Sequence, residues 1–207
     1  MKSGILKSWI RAGVLSMLGV GLIGVGDSKA LQHVAERVEV AGVTFAATTP
    51  VGDKTLHLNG AGLRKRVFFK VYAAGLYVPE KSSNAAALLA QTGPRQVRLV
   101  MLRNVEAETF IQSLNDGLRN NHSEAQLAAL KTQIDALNAN LKALGEAKKG
   151  DTILFEFTPQ TGTRLIVNGQ PKGEAIGGEA FFAAVLRVWI GDKPADGELK
   201  KGLLGGG

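Results

Sequence analysis

Residues Leu56–Pro79 read LHLNGAGLRKRVFFKVYAAGLYVP, and the rest of the chain is read outward from them. Leu56-His57-Leu58 alternates as a strand, and Asn59-Gly60-Ala61-Gly62 reads as a bend that lets backbones approach closely. Val67–Val78 is aromatic, β-branched and apolar at both parities. Such a strand is covered on both faces, here by helices on one side and by something else on the other. Pro79 ends it. The same stretch holds the densest positive charge of the chain, Arg64, Lys65, Arg66 and Lys70, beside its two tyrosines, Tyr72 and Tyr77.

The 207 residues are 45% hydrophobic and 21% charged, the composition of one globular domain with a full core. With no cysteine, disulfides, thiolate metal sites and a cysteine nucleophile are excluded. Residues 1–30 read as a signal peptide. Lys2, Lys7 and Arg11 precede the apolar run Ala12–Val25, and Ser28-Lys29-Ala30 sets small residues before a cut after Ala30. An uncleaved anchor is the alternative. Export to the periplasm is expected, with residues 31–207 as a single domain. Cleavage would remove Lys2, Lys7, Arg11, Lys29 and Asp27, lowering the formal charge from +7 to +4. That mild, dispersed charge argues against nucleic-acid binding. It suits an acidic small molecule or peripheral contact with an anionic membrane.

Glu36–Val40 and Val43–Thr49 read as short strands before a turn at Pro50–Asp53. Ser82–Ala90 reads as a helix and Gln96–Leu102 as a strand with Val97, Leu99 and Met101 on one face. Asn104 is placed to cap a helix that runs to Leu118, striped by Phe110, Leu114 and Leu118. Ser123–Gln126 matches a capping box opening one helix to about Leu144, with leucines at heptad spacing. That stripe covers a sheet in a monomer, or else pairs two chains. Thr152–Thr158 and Thr163–Asn168 read as a hairpin, with another bend at Asn168-Gly169. Gly178–Ile190 is an apolar helix carrying Phe181, Val185 and Trp189 on one stripe, and Glu198–Leu204 a last short one.

No phosphate loop, dinucleotide glycine pattern, HExxH or nucleophile elbow occurs. His33, His57 and His122 are scattered, so no metal site and no cofactor are expected. Glu106 and Glu108 fall in a first helical turn, where acids are ordinary. Arg64 and Tyr72 remain. A guanidinium fork matches a carboxylate or a polarised carbonyl, and a phenol adds a donor from an amphipathic ring. The plain alternative is that Arg64 pairs with a surface carboxylate and Tyr72 is core.

Gly60-Ala61-Gly62-Leu63-Arg64 and Phe69–Tyr77 together resemble the segment that carries the active-site arginine of chalcone isomerases. Gly178–Phe182, Trp189-Ile190-Gly191, Pro194, Leu199-Lys200 and Leu203-Leu204-Gly205 are similar to exported bacterial chalcone isomerase-like proteins. The resemblance spans about Val40–Gly205. It implies an α+β fold, an open-faced β-sandwich in which a large, mostly antiparallel sheet is covered by a layer of helices, with the ligand cleft between. In the plant enzymes the arginine holds a phenolate during flavanone ring closure. In fatty-acid-binding relatives the same arginine and a tyrosine hold a carboxylate. Tyr72 stands where the enzymes have a threonine, as in the fatty-acid binders. Phe110 and Asn115 fall on the helix that brings a tyrosine and an asparagine to the substrate. Phe182 replaces a serine or threonine and has no hydrogen to donate.

The ligand site expected is therefore Arg64, Tyr72, Phe110, Asn115 and Phe182. The favoured function is non-catalytic binding of a fatty acid or similar apolar carboxylate by a monomer. The alternatives are an isomerase acting on a chalcone-like α,β-unsaturated ketone, and an envelope interaction protein. One geometric condition attaches to the site. Eight residues of straight strand would hold Arg64 and Tyr72 about 26 Å apart. The chain must turn or bulge near Lys65-Arg66 for both to reach one ligand.

Overall fold

The computed structural model describes residues 37–206. Its centre is a seven-stranded sheet, antiparallel throughout, built around two long strands. In chain order the elements begin with β1 (Arg37–Val40), β2 (Val43–Ala46), β3 (Thr48–Val51), β4 (Lys54–Arg66), β5 (Phe69–Val78), α1 (Ala85–Ala90) and β6 (Arg95–Met101). A long connection follows, holding β7 (Val105–Glu106), α2 (Ala107–Asn121), α3 (Glu124–Ala129), α4 (Lys131–Lys142) and β8 (Glu146–Ala147). The chain then returns through β9 (Thr152–Thr158), β10 (Gly162–Val167), β11 (Gln170–Ile176), α5 (Glu179–Ile190) and α6 (Gly197–Leu203). The sheet order is β11-β10-β9-β6-β5-β4-β3.

Alternation decides which side chains meet. Val97, Leu99 and Met101 of β6 and Ile153, Phe155 and Phe157 of β9 enter one core with α2, α4, α5 and α6. Tyr72, Ala74, Leu76 and Val78 of β5 belong to that helix-side core, while Ala73 and Tyr77 belong to a second, smaller one. The small core lies under the β1–β2 hairpin, whose Phe45 is fully buried. β5 is thus covered on both faces, as its double-parity apolar pattern requires.

Residues Asn59–Gly62 are not a bend. They lie inside β4, which runs unbroken for 13 residues. The register slips by one between Leu58 and Gly60. That bulge changes the parity of everything after it. Leu56 and Leu58 face the small core, but beyond the bulge Gly60 pairs with Leu76 and Arg64 with Tyr72, both helix-side residues. The glycines serve α6. A Cβ on Gly60 would lie 2.2 Å from the Gly202 carbonyl oxygen, and one on Gly62 2.9 Å from that of Leu199. The real turn is at Val67-Phe68, a two-residue hairpin loop with no glycine, asparagine or proline.

Two further readings are corrected, and one strand goes unread in the sequence. The heptad stripe of 123–144 is two helices, with Leu130 (φ −106°, ψ 7°) at the joint and its N–H on the Leu127 carbonyl, a tight i→i−3 turn. The capping box at Ser123 and Gln126 does form. α3 buries no side chain, whereas α4 packs Leu137 and Leu141 against β11 and α2. Leu127 and Leu130 still pack, partly buried, against the edge of the helix-side core. Asn104 does not cap α2. Its Oδ1 accepts from the Lys149 N–H at 2.9 Å, and α2 starts at Ala107. The bend at Asn168-Gly169 (φ 52° and 78°) is a hairpin turn into β11, an edge strand too polar to show as one in the sequence.

Candidate functional site

Arg64 and Tyr72 sit directly opposite each other on β4 and β5, because the chain reverses at Val67-Phe68 between them. Directly paired residues on one face of an antiparallel ladder have Cβ atoms only about 5 Å apart. The turn and the bulge between Arg64 and Lys65 together supply the geometry that a straight strand could not.

Both side chains line a cavity of about 470 Å³ between the tip of this hairpin, the N-terminal half of α2 and the end of α5. Val71, Val105, Phe110, Leu114, Val188 and Trp189 give it apolar walls, while Thr109, Ser113, Asn104 and Glu106 add polar groups. Arg66 and Arg103 join Arg64 around it. The volume falls in the range of small-molecule sites, roughly 300–1,000 Å³.

Tyr72 is buried, and its hydroxyl accepts a hydrogen bond from Trp189 Nε1 at 3.0 Å. That contact uses an oxygen lone pair and leaves the phenolic hydrogen for another acceptor. Burial pushes the Tyr72 pKa up, against smaller opposing effects of the Trp189 N–H and the Arg64 charge. Tyr72 is thus held as a neutral donor rather than a phenolate. Arg64 is half-buried. Its Nη1 donates to the Lys65 carbonyl at 3.0 Å and lies 3.5 Å from Asp196 Oδ2. Its guanidinium also stands close to the Tyr72 hydroxyl, on which it acts by charge and by hydrogen bonding.

Asp196 anchors the arrangement. It caps α6 through the Glu198 and Leu199 N–H groups and accepts the Lys65 N–H at 3.0 Å. Burial alone would raise its pKa. The Lys65 and Leu199 N–H groups, the Arg64 charge and the Glu198 N–H outweigh that and hold it below the usual carboxylate value. Arg64 therefore has an internal carboxylate partner, as the plain reading expects, and faces the cavity as well. One loose contact to a carboxylate already taken by three backbone donors leaves most of the fork open.

Phe110 lines the cavity and stacks at 6.4 Å on Phe155 behind it. Asn115 and Phe182 are not brought there. Asn115, half-buried one residue beyond Leu114, is absent from the lining, since α2 turns it away by about 100°. Phe182 is fully buried beside Phe157, 5.4 Å between ring centroids, under the guanidinium of Arg95. Arg95 pairs with Glu179 at 2.7 Å, and burial lowers its pKa. Phe182 thus belongs to a structural cluster two turns of α5 before Trp189. Sequence reasoning missed Trp189 and Asp196 as site residues. Trp189 carried a signal, since its helical stripe had to meet the sheet. Asp196 showed only as an acid just before a short helix.

A helix-covered antiparallel sheet with an Arg–Tyr pair at an apolar cavity defines the class. The chain belongs to the chalcone isomerase-like family, whose model matches residues 37–205. Among solved structures, a fatty-acid binding protein of Arabidopsis thaliana is similar to it. The likeness covers 82% of this chain and 96% of that one, with a TM-score of 0.63 and 18% identity. At that identity the likeness speaks for the fold. No curated protein matches the chain in sequence.

Proposed function

We propose that the protein binds a fatty acid or similar apolar carboxylate without chemical turnover. What supports the reading most is the paired, unused donors at one cavity. The Tyr72 hydroxyl and the free edge of Arg64 face the same apolar-walled space. An acyl chain would lie along Val71, Phe110, Leu114 and Val188, with its carboxylate against Arg64 and Tyr72. The similar Arabidopsis protein is a fatty-acid binding protein, and that ligand class is carried here as part of the proposal. We further propose export to the periplasm. The segment that argues for it, residues 1–30, lies outside the described residues, and N-terminal sequencing of the mature protein should begin at Leu31.

The test is a binding series. Arg64→Ala should weaken a long-chain fatty acid by about 1.5–3 kcal/mol, roughly 10- to 150-fold, the range for a hydrogen bond to a charged group. A fully desolvated pair would cost more, but the Arg64 side chain is 21% exposed and already shares Asp196. The matching alcohol should bind poorly and respond little to the substitution. Equal binding of acid and alcohol, or turnover of a chalcone by the wild type, would overturn the reading.

A further inference from the structure

We propose that the tip of the β4–β5 hairpin is a membrane-docking element that seats Val67 and Phe68 in an anionic lipid surface. The two turn residues are 79% and 94% exposed, and Phe69 beside them is 59% exposed. Three adjacent large apolar side chains in water at the end of a long hairpin cost solubility and serve no core. The turn itself is wrong for its job. A two-residue hairpin loop favours glycine or asparagine at positive φ, yet a β-branched valine stands there at φ 55°. Local turn stability has been given up to keep apolar side chains at the tip.

Charge supplies the partner's chemistry. Lys65, Arg66, Lys70 and Arg103 are exposed around the tip, and Arg103 lies over the Phe69 ring at 4.7 Å. An apolar point inside a basic collar matches a bilayer carrying anionic headgroups, where each nearby basic residue is worth roughly fivefold in partitioning. A protein groove would need no such ring. Glu106 at the cavity wall and Asp196, which already faces Arg64 and the Lys65 N–H, are the acids close by, and two carboxylates do not cancel the collar. Val67 and Phe69 also line the cavity. Docking at the tip would set the cavity mouth at the lipid surface. The docking stands on its own observations and does not depend on which ligand the cavity takes.

The absence of native cysteine makes the test specific. In the full chain, Phe68→Cys carries an environment-sensitive fluorophore, and Asp53→Cys carries it at the far end of β4, about 40 Å away along the strand. With vesicles containing one quarter phosphatidylglycerol in phosphatidylcholine, the label at 68 should shift to the blue and be quenched by doxyl-labelled acyl chains. The label at 53 should not respond. Val67→Gly with Phe68→Asn, which suits the turn better and preserves the fold, should lower vesicle binding at least tenfold against the same N-terminal background. Lys65→Ser with Lys70→Ser should lower it roughly 25-fold on anionic vesicles and leave binding to pure phosphatidylcholine unchanged. A silent label at 68, equal vesicle binding by the turn variant, or a blue shift without lipid that grows with protein concentration would overturn the proposal. The last would mark a contact between copies instead.

Discussion

Tyr72 is asked to do two things with one oxygen. It receives the Trp189 N–H and keeps its own hydrogen free. Tyr72→Phe separates the two. The buried indole N–H then loses its acceptor, which should cost about 1–3 kcal/mol of folding stability, read from urea unfolding. The same variant should also bind fatty acid less tightly by about 1.5–3 kcal/mol. Arg64→Ala should differ, with a comparable loss of affinity but under about 1 kcal/mol of stability, since its ion pair is partly solvated. A Tyr72→Phe protein that is less stable but binds normally would make the hydroxyl purely a brace for Trp189. Because burial raises the Tyr72 pKa, the donor should persist across neutral and mildly alkaline pH, and carboxylate affinity should be flat there.

Two helices form the wall opposite the Arg–Tyr pair, and their approach depends on a glycine. Gly117 of α2 meets Val188 of α5, and an added Cβ would fall 2.6 Å from Val188 Cγ1. Valine cannot swing away freely. Gly117→Ala gains about 1 kcal/mol of helix propensity and loses about 1–3 kcal/mol to overpacking. The net expectation is a loss of about 1 kcal/mol in urea unfolding, with weaker ligand binding because α2 moves off α5. A more stable variant would mean that the wall yields. The α4 stripe gives a second test at this scale. Leu137 is buried against its own chain, so Leu137→Asp should abolish folding in circular dichroism. A folded monomer released from a dimer in sedimentation velocity would instead return the stripe to an intermolecular role.

Across the whole molecule, Asp196 ties the far end of the chain to the central hairpin, through Lys65 and Arg64 on one side and α6 on the other. Its folded pKa lies below the ordinary 3.8. A depressed carboxylate contributes stability that is fully present above the unfolded value and lost as pH falls through the folded one. The melting temperature should therefore drop below about pH 3.8, and Asp196→Asn should be less stable at pH 7 while losing less on acidification. Parallel acid profiles would show that the carboxylate charge contributes nothing. Much of this architecture was legible in the sequence, because alternation in β6 and β9, the α5 stripe and the Ser123 capping box are local patterns with local causes. Arg64 and Tyr72 stood out only through the resemblance of their local segment. What the tertiary structure alone decided was where those residues point and what they meet. The bulge at Asn59-Gly60 carries no periodic signal, yet it turns Arg64 to the helix side. The turn at Val67-Phe68 is made of strand-forming residues, so nothing marks it as a turn. The heptad stripe runs straight through Leu130, so nothing periodic marks the tight turn that splits it into two helices. Trp189 and Asp196 reach Tyr72 and Arg64 across more than a hundred residues, and such contacts are chosen by the packing of α5 and α6 on the sheet, which no short window of sequence contains.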